Sequence, residues 1–407
     1  MTLAAHETAI GDFYGRYPYP WRPQYFDTVD DPLFAWTMLR QETGRTELAA
    51  PQDVWVAGCG TNQALMVALQ YPEARVLGTD VSVQALEICR ANANDVGVDN
   101  LRLDHQGLLA STAVAAFDLV VCTGVVHHNP DPAACLKQLA AALRDTGVLE
   151  LMVYNRFHRR EPVAFQQAQR ILLGTGDHAD RVAAARALAG AIDEPSTLTR
   201  SLAGTAGLDD AAWADSWLNP YELSWDVDGL WALAAGAGLV IDAPRVNPFD
   251  KAADRFRWNL ELADPGLARA YRALDDRARW QLVNLLHLDR APMLWFYLRP
   301  DRVSSGGRVT EAERDEQFLA AVPRRPDAMR RRYRLDDDQR YRLGTAAAPI
   351  GRWPPPAEFR ALWAAADGRR TTREIFAATG TPADPDTVYR ARLMLTSAEF
   401  PHLVLGP

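Results

Sequence analysis

The residues best placed to do chemistry are the run Val56-Ala57-Gly58-Cys59-Gly60-Thr61-Asn62 and a set of polar residues that recur behind it. The run follows an apolar stretch and precedes a helical one. Glycines there let backbone approach a ligand closely, and the helix start behind them offers free N–H groups. Asp80 stands twenty residues after Gly60, at the end of the next apolar stretch; a carboxylate in that place accepts both hydroxyls of a ribose. Asp104, His105 and Gln106 end a third stretch, where side chains meet an adenine edge. Thr123 and Gly124 end a fourth, beneath a reacting centre. Ala57, Gln63 and Val81 flank these positions and belong to the same candidate ligand-binding set. The loop lacks the G-x-G-x-x-G spacing that packs a pyrophosphate on a helix, so the pattern suits a nucleoside better than a dinucleotide.

The elements that must position these residues are legible between 51 and 298. Asp53–Ala57, Arg75–Thr79, Leu101–Asp104, Phe117–Cys122 and Gly147–Tyr154 read as strands. Asn62–Gln70, Val83–Asn94 and Pro130–Arg144 read as the helices between them. FDLVVC at 117–122 is almost continuously apolar, as expected of a strand buried on both faces. Such alternation predicts an α/β fold with a doubly wound parallel sheet. Leu239–Ala243, after a helix at Val227–Ala237, and Met293–Leu298 supply a sixth and a seventh strand. The stretches 156–225 and 247–290 are helical in pattern and read as insertions over the carboxyl ends of the strands, where ligands bind in open α/β sheets.

Composition sets the outer bounds. The chain has 407 residues, 48% hydrophobic and 24% charged, as in soluble globular proteins. No apolar run approaches the ~20 residues of a membrane helix, and residues 1–10 lack the pattern of a signal peptide; the expected location is the cytoplasm. The formal net charge of −8 argues against non-specific nucleic-acid binding. All but two of the 44 basic residues are arginine. Cys59, Cys89, Cys122 and Cys135 form no C-x-x-C pair, so no zinc site is expected and the thiols read as small buried hydrophobes.

Four motifs together resemble a known family. They are Phe13-Tyr14-Gly15-Arg16-Tyr17-Pro18-Tyr19-Pro20, the loop at 56–61, Cys122-Thr123-Gly124-Val125-Val126-His127-His128, and Leu151-Met152-Val153-Tyr154. Residues 53–155 resemble the class I S-adenosylmethionine-dependent methyltransferases. More narrowly, the chain is similar to a group of bacterial methyltransferases of UbiE/generic type that open with a Tyr-Pro-Tyr-Pro arm. The resemblance is clear over about 10–155, thins through 156–298 and is absent after 310. It implies a Rossmann-like seven-stranded methyltransferase sheet, S-adenosyl-L-methionine as cofactor and S-adenosyl-L-homocysteine as product, without a metal. It further implies cofactor contacts at Gly58, Gly60, Asp80, Asp104 and Thr123–Gly124. Two positions depart from the group: Asn62 replaces a serine or threonine and is expected to cap the helix, and Asn129 replaces a leucine and makes the pocket more polar.

The reaction so implied moves a methyl group in line from a sulfonium to a nucleophile. Holding the two atoms in line supplies up to ~7–11 kcal/mol, and a base is needed only where the nucleophile carries a proton. His127 and His128 are the candidate bases, with helix entry as their alternative role. Tyr14, Tyr17 and Tyr19, in an arm read as too Pro-rich for a helix, and Asn155 are the candidate acceptor contacts. The tyrosines read equally as a strap on the core, and Asn155, with Arg156, as a helix cap. Trp213, Trp217, Tyr221 and Trp225, spaced by four, read as helix core or pocket lining. Arg330–Arg334 beside Asp336–Asp338 reads as a solvated, ion-paired face.

The expected organisation is an N-terminal arm or lid (1–50), the catalytic domain (51–298), a linker (299–310) and a C-terminal module (311–407). In the last, helices around an Asp367-Gly368-x-x-Thr371 turn suggest a small winged-helix-like unit. The acceptor expected is a small molecule of secondary metabolism. The competing readings are a peptide or protein acceptor docked by the C-terminal module, a non-catalytic cofactor-binding protein, and a nicotinamide-dependent oxidoreductase.

Overall fold

The computed structural model describes residues 3–18, 23–174, 178–247, 251, 256–302, 308–350, 355–398 and 401–406. The strands are β1 (Tyr25–Val29), β2 (Asp53–Ala57), β3 (Arg75–Asp80), β4 (Leu101–His105), β5 (Phe117–Thr123), β6 (Leu143–Val153), β7 (Leu239–Pro244), β8 (Leu294–Pro300), β9 (Val322–Arg324), β10 (Met329–Leu335), β11 (Tyr341–Pro349) and β12 (Val404–Gly406). Seven of them form one sheet in the order β4-β3-β2-β5-β6-β8-β7.

Alternation along the central strands divides the interior into two layers. Val54, Val56, Leu119, Val121 and Val148 face one core. Trp55, Ala57, Val120, Cys122, Leu149 and Leu151 face the other. Helices Gln63–Gln70 and Val83–Val96 lie in the first layer. Pro132–Ala142, Val227–Gly236 and Asp276–His287 lie in the second. Local chemistry starts several of these helices: the Ser82 hydroxyl accepts the Ala85 N–H, and Asp131, ahead of Pro132 in the first turn, accepts the Ala134 N–H.

Strands β4, β3, β2, β5 and β6 are parallel. The sheet is not parallel throughout, however. β8 runs antiparallel between β6 and β7, so the last strand enters in reverse. The chain order reverses between β2 and β5, which opens the ligand crevice of an α/β sheet at their carboxyl ends.

The N-terminal segment departs from the expected arm. Leu3–Arg16 is an α-helix; Pro18 follows its end, and the residues before it contain no proline. Gly11 lets this helix sit on the backbone of Val81, where a Cβ would lie 3.0 Å from the carbonyl oxygen. Farther on, β1 pairs antiparallel with β10 of the C-terminal module, Asp27 opposite Arg332. The Arg332 guanidinium grips Asp27 through Nε at 2.7 Å and Nη2 at 2.8 Å. Arg330 also pairs with Asp27, at 3.4 Å. The arginine-rich run is thus a strand.

Residues 311–320 form a helix, followed by helices Arg360–Ala365, Thr372–Thr379 and Pro385–Thr396 and the two-stranded β9–β12 sheet. Phe318, Phe359, Ile375, Phe376 and Leu395 are among the residues of their shared core. Asp367 accepts the Arg369 and Arg370 amides, Gly368 takes φ +71°, and Thr371 with Glu374 closes a capping box. The module is sewn to the sheet through helix Phe34–Thr43: Gln41 donates to Thr396 O and accepts from Leu405 N, and Glu42 bridges Ala398 N and the Tyr297 hydroxyl. Of the expected linker, Arg302 is held by Asp145 and Leu143 O, and Arg308 by Ile241 O; residues 303–307 lie outside the described ones.

Within the module Glu311 is buried between Arg314 and Arg392. The two guanidinium groups hold its carboxyl well below the usual range, at about 2, against the cost of burial. Glu311→Gln leaves two cations less than fully compensated in the interior and is expected to cost roughly 3–5 kcal/mol, read as a lower urea midpoint with unchanged slope. The sign follows from the depressed value: the contribution is complete above the unfolded value of about 4.5 and is lost as the pH falls through about 2. The variant should therefore show a weaker acid transition in that window.

Candidate active site

The glycine loop is held by the end of β3. Gly58 N–H and Cys59 N–H both donate to Thr79 O, at 2.7 and 2.9 Å. Gly60 N–H donates to Asp80 Oδ2 at 2.8 Å, and Ser82 N–H to Oδ1 at 2.8 Å. Burial pushes the Asp80 carboxyl up, and these two amides oppose the shift. Three loop amides are therefore turned inward, and the loop offers a ligand its Cα surfaces rather than an anion nest. Gly58, Gly60 and Gly124 take φ of +70°, +53° and +82°. A Cβ on Gly58 would meet Val125 Cγ2 at 2.2 Å, whereas one on Gly124 would meet nothing closer than 4.0 Å. A buried acceptor, left-handed glycines and open space beside Gly124 fit the sugar and sulfonium ends of S-adenosylmethionine. Gln63 donates through Nε2 to Thr123 Oγ1 at 2.5 Å, tying the helix start to the end of β5.

The other expected contacts divide. His105 Nε2 lies 3.0 Å from Val81 O, and Gln106 N–H donates to Asp80 O, so the ends of β3 and β4 are laced together. Asp104 makes a two-point ion pair with Arg102, its neighbour two residues back on the same strand face. Asn62 gives no side-chain cap: its amide bonds Thr61 Oγ1 and its carbonyl accepts from Asn92 in the interior. Asn129 accepts the Asp131 N–H and shapes a turn. Asn155 donates to Pro292 O and accepts from Phe157 N, which commits both ends of its amide to backbone. Tyr17 packs in a cluster with Phe13, Phe165, Trp213 and Trp217. Tyr19 lies outside the described residues. The four cysteines are buried and free. Among the described residues no group of three His, Cys, Asp or Glu side chains is placed to hold a metal ion.

Helix Leu3–Arg16 covers the crevice. A Cβ on Gly107 would strike Glu7 Oε1 at 2.1 Å, so Glu7 lies against the loop after β4. His6 Nε2 approaches His128 O at 2.6 Å. The Tyr14 hydroxyl donates to Asp215 Oδ1 at 3.1 Å and accepts from Asn219 Nδ2 at 3.0 Å. Asn219 also reaches His128 Nε2 at 3.4 Å, and His128 Nδ1 bonds Tyr221 O at 2.8 Å. Arg159 grips Glu222 through two 2.6 Å bonds and lies 4.4 Å from the centre of the Tyr154 ring. Sequence reasoning missed Arg159, Asp215, Asn219 and Glu222; the available signal was the polar run Asn219–Glu222 inside an apolar helical stretch.

His127 and His128 are both buried. The His127 ring stacks on Tyr154 with centroids 3.6 Å apart. Burial holds both imidazoles neutral: His128 titrates at about 4, and His127 well below its ordinary value. Tyr14 is pushed up and Asp215 is raised to about 6, both chiefly by burial.

Two outcomes follow. Asp80→Ala removes the acceptor of two buried amides, each worth about 1–3 kcal/mol when left unpaired; calorimetric titration with S-adenosylhomocysteine should show affinity reduced at least about tenfold. The depressed His128 value means that the unfolded chain takes up a proton between about pH 6.5 and 4 that the folded chain refuses. Stability from the neutral ring is complete above about 6.5 and is lost as the pH falls through about 4, on the order of 3 kcal/mol in all. Urea midpoints measured across that range should slope less in His128→Asn than in the parent.

Residues 55–149 match the family model of a methyltransferase domain. An uncharacterized protein from a strain of Synechococcus is 26% identical over 294 residues, 68% of each chain. A ubiquinone biosynthesis O-methyltransferase from Idiomarina loihiensis is 34% identical over 103 residues, covering 24% of this chain and 41% of that relative. The chain thus spans less than half the length of that enzyme. Among solved structures, PKMT2 from Rickettsia typhi in complex with AdoHcy superposes with a TM-score of 0.58 at 14% identity, covering 89% of this chain and 74% of that one. Identity that low speaks for fold alone, but the covered share is too large to leave out residues 311–407. Residues 55–149 of this chain thus carry a methyltransferase domain, set in a Rossmann-like sheet.

Proposed function

We propose that the protein transfers a methyl group from S-adenosylmethionine to a small-molecule acceptor, within the UbiE/generic-type group that its motifs resemble. The observation that carries the reading is the carboxyl end of the sheet, where Asp80 holds the glycine loop and helix Leu3–Arg16 packs against Val81 and Gly107. Asp80 would take the ribose hydroxyls, and Gly124 would give the methyl end room. The cofactor supplies an electrophilic methyl on a positive sulfur. The chain's own residues exclude water and hold the two reactants together, which is most of what such a transfer needs.

The enclosure favours a small acceptor over a protein. His6 and Tyr14 bind helix Leu3–Arg16 to His128 and Asp215. The C-terminal module is bound to the N-terminal segment by β1–β10 pairing and to the sheet through Gln41 and Glu42, which suits a structural part better than a tethered docking arm. Inward-turned loop amides disfavour a nicotinamide dinucleotide, whose pyrophosphate needs them. Free buried thiols suit a reducing cytoplasm. No helix among the described residues is long and apolar enough to cross a membrane.

Calorimetric titration with S-adenosylhomocysteine and, separately, NAD tests the reading. Binding of the first in the micromolar range, about −8 kcal/mol, with none of the second is the expected result. Binding of NAD alone would overturn it.

A further inference from the structure

Glu7 brings a carboxylate to the end of β4 from a distant part of the chain. Gly107 is the second residue after that strand, and a Cβ placed on it would lie 2.1 Å from Glu7 Oε1 and 2.7 Å from Cδ. The Glu7 carboxyl thus fills the space that a side chain at position 107 would take. Four residues on, Gly11 seats the same face of helix Leu3–Arg16 on Val81 O, just beyond the end of β3. Glu7 and Gly11 therefore span the ends of β4 and β3, on the side of Asp80 away from Gly124. Among the described residues the half-buried Glu7 side chain makes no hydrogen bond or ion pair, and the Gly107 amide has no acceptor. The side chains of β4 and its first loop residue are already engaged: Asp104 with Arg102, His105 Nε2 with Val81 O, and Gln106 Nε2 with Ala110 O.

Resting on the cofactor reading above, we propose that Glu7 selects the adenine base of S-adenosylmethionine by accepting a hydrogen bond from its exocyclic amine. A nucleoside whose ribose is held at Asp80 and whose methyl end lies toward Gly124 has its base on the opposite side of β3, at the end of β4. The edge of adenine offers an amine that donates and, beside it, a ring nitrogen that accepts. A carboxylate only accepts, and a backbone amide only donates. Glu7 and the Gly107 N–H are together the complement of that edge. Hypoxanthine carries a carbonyl in place of the amine and a hydrogen on the ring nitrogen, so it reverses both roles and sets an oxygen against the carboxylate. Sites that read a polar edge reject such analogues strongly, because their own groups are left unpaired. Asp104, the acid on the strand itself, is matched by a guanidinium through two bonds, whereas Glu7 has no counter-charge to give up. The base is thus read by the N-terminal helix, which His6 and Tyr14 fasten at other points to His128 and Asp215.

The test is calorimetric titration of the full chain with S-adenosylhomocysteine and with S-inosylhomocysteine, which differ only at the edge of the base. The parent should bind the first at least about tenfold more tightly. Glu7→Gln keeps the length and shape of the side chain, but its amide can face either an amine or a carbonyl. That variant should narrow the preference to less than about threefold. Melting temperatures taken without ligand show that it folds. A side chain that only packs the helix would change both affinities in proportion and leave their ratio where it was. Equal binding of the two ligands by the parent, or a ratio that survives Glu7→Gln, would overturn the inference and leave the cofactor reading standing. Failure of the parent to bind S-adenosylhomocysteine would bring down both.

Discussion

A single buried carboxylate sets the geometry on which the site depends. Asp80 closes the glycine loop onto the end of β3 by accepting the amides of Gly60 and Ser82. Water would otherwise compete for both amides, and an unpaired amide in this interior is too costly to leave. The same two bonds fix the start of helix Val83–Val96 and place the floor beneath helix Leu3–Arg16, which rests on the next carbonyl at Val81. Loop, helix entry and roof are thus consequences of one side chain with enough lone pairs left to receive a sugar. Burial raises the pKa of this carboxyl, and the two amides oppose that shift by replacing part of the water it lost.

The parts of the fold legible in the sequence are those set by local periodicity. Asp53–Ala57 and Phe117–Cys122 announce buried strands because they are short, apolar and bounded by polar or glycine residues. Asp80 and Gly60 could be paired by spacing alone, since a βαβ unit fixes the distance between strand ends. What the sequence withholds is anything settled by partners far along the chain. No local signal in Tyr25–Val29 says that it pairs with Met329–Leu335, or that Asp27 is the counter-charge of Arg332. The reversed direction of β8 is likewise set by packing between β6 and β7 rather than by its own residues.

The partners of several site candidates were unreadable for a related reason. Asp104, Asn62 and Asn155 occupy the expected places along their elements, but a place on a strand end does not decide where a side chain points. Arg102 takes the Asp104 carboxylate because residues two apart on a strand share a face. Asn62 and Asn155 are drawn inward by buried groups that only the tertiary structure assembles. Tyr14 reached the site, but from a helix rather than an extended arm. Pro18 lies beyond the helix end, where it stops the helix instead of preventing it; Pro20 lies outside the described residues.

The polar groups around the crevice follow a pattern that separates support from action. Arg159 and Glu222 neutralise each other, Asn219 joins Tyr14 to His128, and Asp215 receives the Tyr14 hydroxyl. Such mutual satisfaction is what a buried network requires to rigidify its surroundings. A group left out of that network either reflects poor packing or serves a molecule that is not part of the chain. Poor packing does not describe His127, whose ring is held on two sides by Tyr154 and His128. Phenylalanine would satisfy the same contacts without the desolvation cost of two nitrogens, so stability alone gives no reason for histidine at this position. Proteins break local rules of this kind where function requires it, and the broken rule here, two ring nitrogens without a hydrogen-bond partner among the described residues, stands on the turn Val126–His128, three residues beyond Gly124.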